Sequence, residues 1–205
     1  MSRFALWTED HPLLLASASS ARRDLIASAG IPVEILPAML DERAAESALA
    51  DRSPQGVARG LAQAKALAVS TVHPGRLVLG ADQTLALEEA ILHKPRDQDE
   101  ARRHLEGLSG KVHHLHSGLA LAQDRTVLWS HVESAALHMR PLGAAFLDAY
   151  LAAAGDDVLG SVGAYRLEAH GAHLFERVEG DHSTILGLPL APLLAELRRK
   201  GCLVA

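Results

Sequence analysis

The stretch 13-LLLASASSARRDLIASAG-30 carries the first decision about the fold. Residues 13–16 form an uninterrupted apolar run, short enough for a buried strand. The run stops in a serine-rich turn, where Ser19 or Ser20 is placed to cap a helix that ends near Gly30. Strand, serine turn and helix in that order suit an anion, because a helix start offers unpaired backbone N–H groups and a partial positive charge. Serine hydroxyls add neutral donors, and Arg22 adds a planar fork that matches phosphate oxygens. Taken alone, the segment reads first as an ordinary capped helix with two solvated arginines, Arg22 and Arg23, because helix starts are common.

Outward from this stretch, strands and helices mix without strict alternation. "VEILP" reads as a second strand stopped by Pro37, and Ser53-Pro54 as the N-cap and first residue of a long Ala-rich helix to about Thr71. "RLVLGAD" and "TLAL" read as strand, turn and strand. Asp97 caps a helix through Leu108, ended by Ser109-Gly110. Residues 112–137 read as two strands joined at Gln123-Asp124-Arg125, and a helix starts at Pro141 and runs to about Ala153. "LFERV" is a short strand, and 190–200 a last helix closed by Gly201. The pattern predicts an α/β fold with a mixed sheet rather than a pure Rossmann domain.

Composition limits what such a fold can do. The chain has 205 residues, which suits one domain over 1–205. Hydrophobic residues make up 48% but aromatics only 3%, so Leu, Ala and Val supply the core. A formal net charge of −5 argues against general binding to nucleic acid or anionic membranes, so any anion site is local. Cys202 is the single cysteine, which excludes an intramolecular disulfide framework. No stretch approaches the ~18 apolar residues of a membrane span, and Asp10 interrupts the first apolar residues. The expectation is a soluble, cytoplasmic protein.

Several polar residues sit where apolar ones are expected. Asp82 follows an apolar strand in "VLGADQT", with Gly80 permitting close backbone approach, and is expected at the strand's end, where α/β sites gather. Lys94 precedes Pro95, which restricts it to extended geometry. Lys65 lies inside the apolar helix "LAQAKALAV", an odd place for a cation with no anion to meet. Asp41 and Glu42 add carboxylates after the second strand. Each alone reads as a solvated side chain. Together, arginine and lysines suit a polyphosphate, and carboxylates suit Mg²⁺ and the activation of water. No G-x-x-x-x-G-K-[ST] occurs, which excludes a Walker-type NTPase.

"LASASSARRDLI", "PAMLDE", "LAQAKA", "VLGADQT", "HKP", "LSGKVHHLHSGLAL" and "VGAYRLEAHGAHLFERVEGDHSTILGLPL" resemble, in order, the successive motifs of the Maf family of nucleoside triphosphate pyrophosphatases. The likeness runs from about Leu13 to Leu190. It implies flanking helices on the mixed sheet and two lobes around a deep cleft, similar to inosine triphosphate pyrophosphatases. It implies hydrolysis of a nucleoside triphosphate to the monophosphate and pyrophosphate with a divalent cation, Mg²⁺ or Mn²⁺, in house-cleaning of non-standard nucleotides. Asp82 matches the catalytic aspartate. Ser17, Arg22, Lys65 and Lys94 match substrate-binding positions, and Glu42 with Asp82 matches the metal site.

Where the family usually has S-x-S-P-R-R, this chain has Ser17-Ala18-Ser19-Ser20-Ala21-Arg22, without the proline and the first arginine. Ala21, Gln83 and Glu168 occupy positions associated with base selection. Members acting on dTTP and UTP usually carry Arg, Thr and Gln there, and members acting on 7-methyl-GTP carry Trp, Gln and Glu. The chain shares two of three with the latter but lacks the aromatic platform for a cationic base.

Other signals are weaker. His114 and His116 share a strand face and could ligate a transition metal, but no third ligand stands at a convincing spacing. His113 reads as a structural or cleft residue, and Cys202 has no identifiable base. Ser17 reads as a phosphate donor rather than a nucleophile. The terminal helix "LAPLLAELRRK" is amphipathic; core packing is its first reading and a homodimer contact its second. The rival to an enzyme is a non-enzymatic nucleotide-binding regulator of cell division or septum formation, which would use the same cations but not need Asp82.

Overall fold

The computed structural model describes residues 6–204. Its strands are β1 (Leu13–Leu15), β2 (Val33–Ile35), β3 (Val78–Leu87), β4 (Ala90–Leu92), β5 (Val112–Gln123), β6 (Thr126–Met139) and β7 (Phe175–Glu179). Its α-helices are α1 (Ser20–Ser28), α2 (Glu42–Ser47), α3 (Pro54–Val72), α4 (Gln98–Leu108), α5 (Ala144–Ala154), α6 (His182–Ile185) and α7 (Leu190–Arg199). One mixed sheet runs in the order β2-β1-β3-β5-β6-β7, with β4 added on β3. β1 is parallel to both β2 and β3, and the remaining pairs are antiparallel.

Local chemistry explains the boundaries. The Ser19, Asp41, Ser53, Asp97 and Asp181 side chains each accept from a backbone N–H at a helix start, satisfying donors a helix cannot pair itself. Asp124 and Arg125 both have positive φ, 48° and 66°, the two-residue turn that matches the twist of the β5–β6 hairpin. The last α-helical residue of α7 is Arg199, and Gly201 has φ 79° just beyond it.

Two expectations need correction. Residues 78–87 are a single ten-residue strand, not strand, turn and strand. Asp82, Gln83 and Thr84 are held in the ladder opposite Gly118, Ser117 and His116, so pairing overrides the weak strand preference of Asp82. Asp82 therefore lies mid-strand and not at a strand end. The helix expected from Pro141 begins at Ala144, with Gly143 as its cap. Helix α2, strand β4 and the 3₁₀ turns between Gly155 and Leu174 carry too few residues for a periodic signal.

Two features of β3 shape everything that follows. The first is its seat against α3. A Cβ on Gly80 would lie 2.0 Å from the Ala62 carbonyl oxygen, and one on Gly118 2.3 Å from that of Ala58. Only glycine lets the helix backbone approach the sheet this closely. The second is a gap in the sheet. β1 pairs with β3 only up to Leu15↔Leu79, while β4 begins pairing at Leu85↔Leu92. Between them, 80–84 are paired on the β5 side alone.

The core divides accordingly. One apolar cluster gathers Leu13, Leu15, Ile26, Leu79, Leu119 and Leu193. Another gathers Leu85, Leu105, Leu115, Leu137, Tyr150 and Tyr165. A smaller one packs α3, through Ala62, Ala66 and Val69, on Leu14, Val78 and Ala120.

Candidate active site

A cleft of about 1110 Å³ opens at the gap in the sheet. Successive strand residues point to opposite faces, so Asp82 and Gln83 would ordinarily never share a pocket. Here both line one cleft, because the strand edge between them is uncovered.

On the α3 face, the Lys65 ammonium donates to Asp82 Oδ1 at 2.5 Å and stands 2.8 Å from Glu42 Oε1. This is the anion that the lysine in an apolar helix lacked in the sequence. The Lys65 and Asp82 side chains are each 11% exposed, whereas Glu42 is 57% exposed at the cleft rim. Burial pushes the Asp82 carboxyl above the ordinary aspartate range, opposed by the positive charges of Lys65 and Arg22. Glu42 opens α2, which Asp41 caps by accepting from Ala44 N at 3.0 Å.

Helix α1 closes the end of β1. Arg22 Nε donates to the Gly187 carbonyl at 2.9 Å, and Nη1 donates to Ala81 O at 2.8 Å and Ser17 Oγ at 3.0 Å. Arg22 thus covers a carbonyl that the missing strand neighbour leaves open. Its Nη2 has no hydrogen-bond acceptor among the described residues and stays available to a ligand. Ser17 Oγ also accepts from Ser19 N at 3.3 Å, so its hydroxyl proton remains free to donate. Arg23 is exposed and pairs with Asp24. Lys94 lines the cleft, exposed, and makes no ion pair among the described residues.

The opposite face is chemically different. The Gln83 amide nitrogen donates toward Ser117 Oγ (2.9 Å), Ile185 O (3.0 Å) and Thr184 O (3.2 Å). Leu115, Tyr165 and Ile185, all buried members of the second apolar cluster, line the cleft with it. Ala21 and Glu168 also line it. Glu168 Oε1 accepts from Arg166 Nε at 3.0 Å, which leaves Oε2 uncommitted. The cleft therefore gathers Ser17, Ala21, Arg22, Glu42, Lys65, Asp82, Gln83, Lys94 and Glu168, drawn from seven separate elements and loops.

A family model described as Maf-like protein matches residues 12–200. The chain belongs to that family. Among curated Maf-like relatives, the 7-methyl-GTP pyrophosphatase of Mesorhizobium japonicum is 51% identical over 193 residues, covering 93% of this chain and 97% of that protein. The nucleoside triphosphate pyrophosphatase of Rhodopseudomonas palustris (strain BisB18) is 49% identical over 198 residues, 97% of this chain and 98% of that protein. Among solved structures, a HAM1 protein from Coxiella burnetii aligns with 90% of this chain and 98% of its own at 15% identity and a TM-score of 0.49, too distant to argue from.

The remaining polar signals of this Maf-like chain lie outside the reacting groups. His113 is fully buried, hydrogen-bonded through Nε2 to the Tyr165 hydroxyl at 2.7 Å, and burial lowers its pKa to about 4. His114 and His116 stack with ring centroids 5.9 Å apart, and His116 Nδ1 meets Ser134 Oγ at 2.7 Å. Among the described residues no three His, Cys, Asp or Glu side chains gather as a metal site. Cys202 is buried and its thiol is pushed up to about 11, which leaves it protonated and unreactive. No α-helix among the described residues is long and apolar enough to cross a membrane.

Some cleft contributors have no signature in the sequence. The carbonyls of Ala81, Thr184, Ile185 and Gly187 orient Arg22 and Gln83, and a backbone oxygen is the same in every residue type. Asp156, Asp157 and Arg166 reach the cleft from irregular segments, where no periodicity points inward.

Proposed function

We propose that the protein is a nucleoside triphosphate pyrophosphatase, a hydrolase that cuts between the α and β phosphates. The observation that carries the reading is the buried Lys65–Asp82 pair, with Glu42, set beside the serine turn that opens α1. Water attacks the α-phosphorus, a new P–O bond forms, and the bond to the β-phosphate oxygen breaks to release pyrophosphate. Asp82 takes the proton from that water as general base; its raised pKa suits the role, because proton transfer is most effective near the working pH. Arg22 Nη2, Lys65, Lys94 and the Ser17 hydroxyl hold and neutralise the phosphates.

The oxygen donors here fit Mg²⁺ or Mn²⁺ better than Zn²⁺. Glu42 would hold the ion together with phosphate oxygens, which leaves the Asp82 oxygen that Lys65 does not engage for the attacking water. When bound, the ion supplies charge neutralisation on the triphosphate. The substrate is a canonical or modified nucleoside triphosphate free in solution. Gln83 and Glu168, together with the naming of several relatives for 7-methyl-GTP, favour a base rich in N–H donors such as guanine over exclusive use of dTTP or UTP.

The test is incubation with a panel of canonical and modified triphosphates plus Mg²⁺ or Mn²⁺, with both products identified. Monophosphate and pyrophosphate in equal amounts are expected. Release of orthophosphate overturns the reading in favour of a phosphatase. Tight binding without turnover overturns it in favour of a regulator.

A further inference from the structure

The Gln83 amide could in principle face the cleft by either end, and the two ends read opposite chemistry. Its surroundings decide between them. Two of the three groups around the nitrogen are backbone carbonyls, Thr184 O and Ile185 O, which only accept. The third, Ser117 Oγ, is fully buried and donates its own proton to Thr184 O at 2.7 Å, so toward Gln83 it accepts. Turning the amide over would set its oxygen against two carbonyl oxygens, with only the Ser117 hydroxyl able to turn and donate, at the cost of its bond to Thr184 O. The nitrogen is therefore fixed inward. Gln83 Oε1 has no protein donor among the described residues and is not enclosed, so it opens to the cleft that the residue lines.

We propose that Ser117 is a positioning residue that, with the Thr184 and Ile185 carbonyls, holds Gln83 as an obligate hydrogen-bond acceptor for an N–H group of the substrate base. The location supports a base rather than a phosphate. Gln83 lies on the face away from Lys65 and Asp82, among Leu115, Tyr165 and Ile185, where a flat apolar ring is accommodated and a polyanion is not. Neither Ser117 nor α6 needs to touch substrate to do this. Their effect is to fix which hydrogen-bonding pattern the pocket presents, and a base that offers only a lone pair there leaves Gln83 Oε1 desolvated and unpaired.

The inference rests on the nucleotide-hydrolase reading for its substrate, but its polarity is testable without turnover. In uniformly ¹⁵N-labelled protein, the Gln83 side-chain NH₂ is expected to exchange slowly with solvent. It should shift little when an α,β-methylene nucleoside triphosphate binds. In Ser117→Ala, the exchange should accelerate. NH₂ signals that exchange freely and shift strongly on binding overturn the proposal. Kinetics give the second arm. ITP, whose base offers one N–H on its pairing edge, is compared with its N1-methyl derivative, and UTP with its N3-methyl derivative, using whichever parent is turned over faster. The N–H-bearing member should be preferred roughly 3- to 10-fold in kcat/KM, the scale of one neutral hydrogen bond. Ser117→Ala should erase most of that preference through KM with little change in kcat. A preference that survives in Ser117→Ala overturns the positioning role. If no triphosphate is hydrolysed, the pyrophosphatase reading fails, and the amide exchange still decides the polarity.

Discussion

Asp82 and Gln83 are chain neighbours on one strand, yet they serve two halves of the cleft with opposite physical character. The Asp82 half is charged: a buried carboxylate, a lysine 2.5 Å away, a rim glutamate and a helix start. The Gln83 half has an uncharged amide among apolar walls, its nitrogen tied to protein acceptors. Strand alternation creates the difference, and the gap between β1 and β4 lets one ligand span both faces. On the proposed function, chemistry and selection sit one residue apart but on opposite sides of a sheet, so substitutions on the two faces should fail in different ways.

The largest effect is expected on the charged face. Asp82→Asn should lower kcat by about 10²-fold or more, as for loss of a general base, while the near-isosteric side chain keeps the fold. In the wild type, the acid limb of the kcat/KM profile should fall above the ordinary carboxylate pKa, because the Asp82 value in the free protein is raised and the ionised form is the active one. Gly80→Ala should follow. A Cβ there meets the Ala62 and Ala66 backbone, so α3 must lift and carry Lys65 with it, costing about 3 kcal/mol of stability by urea unfolding.

The Gln83 face offers a stability probe. His113 packs beneath it with its pKa lowered from 6.5 to about 4, so the folded state favours the neutral ring. Stability from this residue is fully present above pH 6.5 and is lost as pH falls toward 4. The loss is on the order of 3 kcal/mol. Urea unfolding at pH 7 and pH 4.5 should show it, and His113→Gln should flatten the dependence.

Smaller effects sharpen the contrast. Arg22→Ala should weaken triphosphate handling by roughly 1.5–3 kcal/mol in kcat/KM, the scale of a charge-assisted hydrogen bond. Arg23→Ala, which removes only the exposed pair with Asp24, should be near wild type. Equal kinetics for the two would show that α1 presents the wrong arginine to the phosphates. Glu168→Gln should shift the GTP-to-UTP kcat/KM ratio toward the pyrimidine by about 10-fold, if its free Oε2 reads the base. An unchanged ratio would leave Glu168 as the ion-pair partner of Arg166 alone.

Where residues act locally, the sequence was readable. Ser19, Ser53 and Asp97 cap helices within a few residues, and the Asp124-Arg125 turn joins adjacent strands, so spacing alone places them. Lys65 announced itself by being charged in an apolar helix, although its partner Asp82 is 17 residues away. What stayed hidden depends on distant chain. Asp82 was expected at a strand end because the apolar run before it looked finished, whereas the ladder with β5 continues through Ala86. Close approach at Gly80 was legible, but not that the α3 backbone is what approaches. Nothing near Gln83 in sequence says that carbonyls about 100 residues on, at 101 and 102 positions' separation, fix its amide. The uncovered edge of β3 is equally invisible, since it arises from where two other strands stop.

The division of labour between the two faces is tested most directly by steady-state kinetics of Asp82→Asn and Gln83→Leu on GTP, 7-methyl-GTP, UTP and dTTP. Asp82→Asn is expected to depress kcat by the same large factor for every base, leaving their order intact. Gln83→Leu is expected to redistribute kcat/KM among the bases while the kcat of the fastest substrate stays close to wild type. Near-normal turnover in Asp82→Asn, or a uniform loss of kcat with unchanged base order in Gln83→Leu, would contradict it.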